Sequence, residues 1–125
     1  MQVNVQLISS NGFIPTLTDA GYSLKASDYA VIGRYSSNIV QTDLKVYIPE
    51  GYAVALFPAP EMIDRGLTTT VRTFHPRGEG TELFVNVTNV TQFNQVINKG
   101  NVVGMFRLIA SPTISLQQLE SCGEE

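Results

Sequence analysis

Short runs of alternating apolar and polar residues, each closed by a cluster of Gly, Asn, Ser or Pro, dominate this 125-residue chain. Alternation with period two sends successive side chains to opposite faces of a strand, whereas a helix needs an apolar repeat near 3.6. In Met1–Ile8, Val3, Val5 and Leu7 fall on one face and Gln2, Asn4 and Gln6 on the other. Similar runs are Tyr29–Ile32, Asp43–Ile48, Tyr52–Phe57, Glu82–Val87 and Val102–Ile109. Turn signals lie between them at Ser9–Gly12, Ser36–Asn38, Pro49–Gly51, Pro76–Gly80 and Asn98–Asn101. Many short strands at this spacing predict a sandwich or barrel. Only Pro60–Arg65 has room for a turn of helix, so the expected fold is all-β with at most one short helical turn.

Size and charge narrow the functional classes. A chain of this length with 43% hydrophobic residues buries one core. The expected organisation is one β domain over residues 1–110 and a carboxyl-terminal arm or tail over 111–125, whose Gln and Glu pairs suit solvent. No apolar run approaches the roughly 20 residues that span a bilayer, and the first residues lack a basic segment leading into an apolar one. Neither a membrane nor export is expected. The one cysteine, Cys122, allows no intrachain disulfide and suits a reducing compartment, so the expected location is intracellular, in cytoplasm or nucleus. Net charge is −3 and the eight Lys and Arg are scattered, which argues against nucleic acid as a partner.

Several segments carry a more specific pattern. They are Pro15-Thr-Leu-Thr-Asp-Ala-Gly-Tyr-Ser-Leu-Lys-Ala26, Ile48-Pro-Glu-Gly-Tyr52, Pro58-Ala-Pro-Glu61, Arg65-Gly-Leu67, Val87-Thr-Asn89 and Lys99-Gly-Asn-Val-Val-Gly-Met-Phe106. In order and spacing they resemble the motifs of the deoxyuridine triphosphatase (dUTPase) family. The resemblance implies a distorted jelly-roll β-barrel or sandwich, a homotrimer with sites between subunits, and a magnesium-triphosphate ligand. It also exposes substitutions. The family's first motif ends Ala-Gly-Tyr-Asp-Leu, and Ser23 stands at its aspartate; a hydroxyl is a weaker ligand for a hard dication than a carboxylate. Ala59 and Pro60 stand where the second motif has its phosphate-contacting arginine and serine. The third motif contains Ile-Asp-x-Asp-Tyr-x-Gly-Glu. With Glu82 at its glutamate, Pro76 falls at the water-activating aspartate and Glu79 at the sugar-packing tyrosine, although 76–81 matches least well and a shift of one or two residues stays open. Met105 replaces the glutamine of the fourth motif, Lys-Gly-Asp-Arg-Ile-Ala-Gln-Leu, and the Gly-rich fifth motif is not found after Leu119.

The expectation drawn from these substitutions is that the chain is not an enzyme and holds neither metal nor cofactor. Ser23, Ala59, Pro60, Pro76, Glu79 and Met105 would mark a vestigial nucleotide site. The scaffold would serve as a viral regulatory protein that binds an unidentified protein partner, as in the adenovirus early proteins derived from dUTPases, which this chain also resembles. Asp64, Arg65, Arg72 and Arg77 would form the interaction surface, on loops at 33–42 and 58–81. Two alternatives are a divergent dUTPase or nucleotide-binding enzyme with a rearranged site, and a virion structural subunit. His75 has no cysteine or second histidine at metal-binding spacing and reads as a loop residue. Gly78 and Gly80 read as a turn rather than a phosphate cradle. Asn86-Val-Thr88 and Asn89-Val-Thr91 are formal glycosylation sequons read as strand residues.

Overall fold

The computed structural model describes residues 5–10, 13–111 and 116–119. Its elements are β1 (Gln6–Ser9), β2 (Leu17–Thr18), β3 (Gly21–Lys25), β4 (Ala30–Ile32), β5 (Ser37–Tyr47), β6 (Tyr52–Phe57), α1 (Pro60–Ile63), β7 (Leu67–Thr69), β8 (Arg72–Phe74), β9 (Thr81–Asn89), β10 (Gln95–Ile97) and β11 (Val102–Ala110). A four-stranded sheet has the order β1-β5-β9-β7, and a five-stranded sheet the order β2-β3-β11-β6-β8. A third sheet pairs only β10 with β4. The observed fold is mostly β-strand with one short helix, as the sequence predicts.

The core forms where the alternating faces meet. On β5 the inward residues are Val40, Thr42, Leu44 and Val46, and on β9 they are Thr81, Leu83, Val85, Val87 and Asn89. Leu24, Leu56, Val103 and Met105 belong to the same buried cluster from the five-stranded sheet. The β5–β9 ladder slips between Gln41, opposite Phe84, and Leu44, opposite Leu83. Two extra residues, Thr42 and Asp43, therefore sit on β5, with Asp43 at φ 51°. Because the side-chain period is two, an insertion of two leaves the buried phase intact. The Thr42 hydroxyl, buried by this phase, donates to the Leu83 carbonyl at 2.6 Å.

Asn89 is the polar member of the inward row and is fully buried. Its Nδ2 donates to the carbonyls of Ile32 at 3.0 Å and Phe93 at 2.7 Å. Its Oδ1 accepts from the Thr91 amide at 2.9 Å and the Thr91 hydroxyl at 2.7 Å. One amide thus joins β9, β4 and the loop that leads to β10. An Asn occupied in this way offers no free nitrogen to a glycan, and Asn89-Val-Thr91 is a structural motif.

Several elements differ from the sequence expectation. β5 is longer, because its first half, Ser37–Gln41, pairs with β9 although Ser36–Asn38 reads as a turn; the turn instead closes one step earlier, with the Ser36 amide on the Gly33 carbonyl. β2, β3, β7, β8 and β10 are two to five residues long and too short to show a period. Most of the expected carboxyl-terminal arm, and Cys122, lie outside the described residues. Among the described residues no helix is long and apolar enough to cross a membrane.

Replacing Asn89 with Ala leaves two carbonyls and two Thr91 donors without their partner. Unpaired buried groups cost about 1–3 kcal/mol each before relaxation, so a loss of roughly 2–4 kcal/mol is expected in urea unfolding. Asn89→Asp should be similarly damaging, because a carboxylate cannot donate to Ile32 and Phe93. A loss below about 1 kcal/mol for both variants would contradict this role.

Candidate functional site

Two clefts gather most of the residues singled out from sequence. The first lies where β3, the start of α1 and β11 converge, with a volume of about 530 Å³. Thr16, Asp19, Ser23, Lys25, Pro60, Glu61 and Met105 are among its lining residues. β3 reaches this position through Gly21, whose φ of 138° and approach to the Phe106 carbonyl leave no room for a side chain: a Cβ would stand 2.8 Å from that oxygen. Tyr22 stacks on Phe106, its cross-strand partner on β11, at 5.6 Å. Ala59 is buried, and the amides of Met62 and Ile63 donate to its carbonyl, starting the helical turn beneath the cleft. Ser23, Pro60 and Met105, separated by up to 82 positions in sequence, thus come together with Ala59 behind them.

Ser23 is bound into the frame. It is 5% exposed, its hydroxyl accepts the Thr16 amide at 3.1 Å, and its own amide donates to the Thr16 carbonyl at 2.9 Å. The substituted side chain braces the entry to β3. The resemblance implies a magnesium ion near this position, but a serine oxygen buried and engaged with backbone does not fit a hard dication. Asp19 and Glu61 are the cleft's carboxylates, and the described residues contain no group of three His, Cys, Asp or Glu able to hold a metal. Lys25 is the cleft's cation.

The second cleft, about 750 Å³, lies over β5, β8, β9 and the loop 75–80. Lys45, Arg72, His75, Pro76, Arg77, Glu79 and Glu82 supply its polar and loop lining, with Phe74 and Phe84 as its apolar wall. The Arg72 guanidinium lies over the rings of Phe84 at 4.6 Å and Phe74 at 5.7 Å, a cation–π arrangement that anchors it. Arg77 and Glu79, both well exposed, approach to 3.7 Å. Gly80 closes the loop at φ 95° with its amide on the Arg77 carbonyl, and a Cβ there would lie 2.5 Å from the Lys45 side chain. The position that demands glycine is therefore residue 80. Setting Gly80, rather than Thr81, at the glycine of the third motif moves the pattern by one residue: Phe74 falls at its isoleucine and His75 at its first aspartate. Pro76 and Glu79 line the cleft as loop residues.

The four residues expected to form an interaction surface fall in two places: Arg72 and Arg77 line the second cleft, and Asp64 and Arg65 follow α1. Arg65 is half-buried and tied to β10, with Nη2 donating to the Gln95 side chain at 3.2 Å and the Val96 carbonyl at 2.7 Å, while Gln95 returns a bond to the Arg65 carbonyl at 2.9 Å. This staple fixes the turn after α1 to β10. Asp64 caps α1, and Arg72 folds onto its two aromatic rings. Of the loop 33–42, residues 37–42 are strand.

A dUTPase family model matches residues 14–121. Among solved structures, the chain is similar to a variant dUTPase from phage phi11 of S. aureus, described for its coordination of a structural Mg(II) ion, with 21% identity, TM-score 0.83 and coverage of 96% of this chain and 99% of that one. It is also similar to a Staphylococcus bacteriophage 80alpha dUTPase variant with dUpNHpp, at 20% identity and TM-score 0.83, covering 98% of this chain and 100% of that one. No curated protein sequence matches. These neighbours establish the fold; the family model establishes membership. The expectation that the chain is not an enzyme is corrected by that match, which spans both clefts and points to an enzyme family. Its physical weakness was to equate lost motif side chains with a lost site. The chain belongs to the dUTPase family.

Proposed function

We propose that this protein is a divergent dUTPase that hydrolyses dUTP, or a closely related nucleoside triphosphate, to the monophosphate and diphosphate through a rearranged site. The observation that supports this most is the first cleft, where segments distant in sequence bring Lys25, Asp19, Glu61 and the Thr16 region around one opening beside β11. Its volume falls in the range of small-ligand sites. Lys25 supplies a compact charge for a phosphate, and hydroxyls at its rim supply hydrogen bonds. The second cleft, with Lys45, Arg72, His75 and Arg77, adds cationic and proton-accepting groups. The two clefts share no lining residue. A homotrimer, which the family resemblance implies, would let the second cleft of one copy face the first cleft of another.

Purified protein with dUTP should release diphosphate in step with dUMP. Lys25→Glu should raise KM roughly tenfold or more, equivalent to about 1.4 kcal/mol of lost binding, without altering the far-ultraviolet circular dichroism. Absence of both turnover and binding of a nonhydrolysable dUTP analogue at millimolar concentration would overturn the proposal.

A second reading, contact with a regulatory protein, is favoured by the edge of the five-stranded sheet. β8 pairs with β6 on one side and is the last strand on the other, and Val71 immediately before it is 70% exposed. Such an edge suits an added strand. The phage 80alpha dUTPases are described as controlling transfer of virulence genes by a G protein-like mechanism, so dUTPase and control functions are joined in those proteins. With a partner isolated by affinity capture, Val71→Lys should weaken the complex while leaving the thermal midpoint unchanged; unchanged binding would contradict an edge contact.

A further inference from the structure

We propose that the cleft between β3, α1 and β11 binds its triphosphate without a magnesium ion, the Lys25 ammonium taking the place of the metal's charge, an inference that rests on the enzymatic reading above. The family resemblance implies a magnesium-triphosphate ligand, and Ser23, at the position of the first-motif aspartate, lines this cleft. An ionised aspartate is an acceptor only. Facing a triphosphate, it repels the ligand unless a cation sits between the two negative charges. Ser23 removes that requirement. Its oxygen accepts the Thr16 amide at 3.1 Å, and among the described residues its hydroxyl donates to no acceptor. A hydroxyl carries a donor beside its lone pairs, so the side chain that does not suit a hard dication can donate directly to a phosphoryl oxygen.

The charges are arranged to match. Ser23 and Lys25 lie two residues apart on β3, so their side chains leave one face of the strand about 7 Å apart along it. Met105 and Val102 of β11 stand opposite them in the register, and all four residues line the cleft. Lys25 is half-buried in this setting, and among the described residues its ammonium makes no hydrogen bond or ion pair. A packed stem with an unengaged head gives a phosphate a compact point charge. Apolar neighbours lower the local dielectric and strengthen that attraction. Asp19 and Glu61, the cleft's carboxylates, are both exposed, so water screens their repulsion of the ligand. They are also the groups through which a metal would have to be recruited.

The test titrates the full chain with a nonhydrolysable dUTP analogue by calorimetry, once in a chelator and once with magnesium in excess of the analogue. For the parent the two dissociation constants should agree within about threefold. Lys25→Met keeps an unbranched stem and removes the charge; it should weaken binding in chelator by about tenfold or more, with an unchanged far-ultraviolet circular dichroism. Ser23→Asp should lose about tenfold or more in chelator and regain affinity when magnesium is added, because a carboxylate there needs the bridging cation. The parent titrations stand on their own even where a substitution at the buried Ser23 unfolds the chain. A parent that binds the analogue only with magnesium overturns metal independence and leaves the nucleotide reading standing. A folded Lys25→Met variant with unchanged affinity in chelator overturns the role given to Lys25. No binding under either condition overturns the enzymatic reading and this inference with it.

Discussion

The carboxamide of Asn89 is the constraint on which the rest of the fold leans. It lies at the end of an inward-facing row otherwise made mostly of Leu and Val, where an unpaired amide would cost several kcal/mol. Its four hydrogen bonds convert that liability into a joint between β9, β4 and the loop to β10. The Asn89 amide also donates to the Ser36 carbonyl at 2.8 Å, fixing the start of β5. Once β5 and β9 are in register, β5 delivers Lys45 and Gln41 to the second cleft, and β9 delivers Glu82 and Phe84.

A second set of contacts places the first cleft. The five-stranded sheet has β11 at its centre, between β3 and β6, and Gly104 allows the sheets to approach so closely that a Cβ there would meet Leu56 and Val85 at 3.3 and 3.4 Å. The β3–β11 ladder slips between Val102 and Gly104, and Met105, buried with Val103 in the core cluster, also lines the cleft. Substitutions at the motif positions leave this frame standing. Ser23 has become part of it, bonding Thr16 where the family pattern has an acid. In the proposed site the charged groups at the opening are Lys25, Asp19 and Glu61.

β9 was legible in the sequence because burial on one face writes a period of two, whereas β6 and β11, which bury successive residues, were legible as continuous apolar runs between turns; β6 matches its run residue for residue, and β9 and β11 differ only at their ends. The family frame was legible from turns, since Ile48-Pro-Glu-Gly-Tyr52 requires a left-handed Gly51, found at φ 84°. β3 was hidden because its five residues, with Ser23 and Leu24 both buried, show neither alternation nor a continuous apolar run. Arg65 looked like a surface cation, and only the approach of β10 from 30 residues away shows it bonded internally. Asn89 resembled a sequon by composition alone.

The central claim is that the opening between β3, α1 and β11 receives the triphosphate of a nucleotide. The most direct measurement is a titration of isotopically labelled protein with a nonhydrolysable dUTP analogue, following amide resonances by nuclear magnetic resonance. The account predicts saturable shifts concentrated at Asp19, Ser23, Lys25, Glu61 and Val102. Saturable binding that leaves those amides unmoved, or no shift at millimolar analogue, would contradict it.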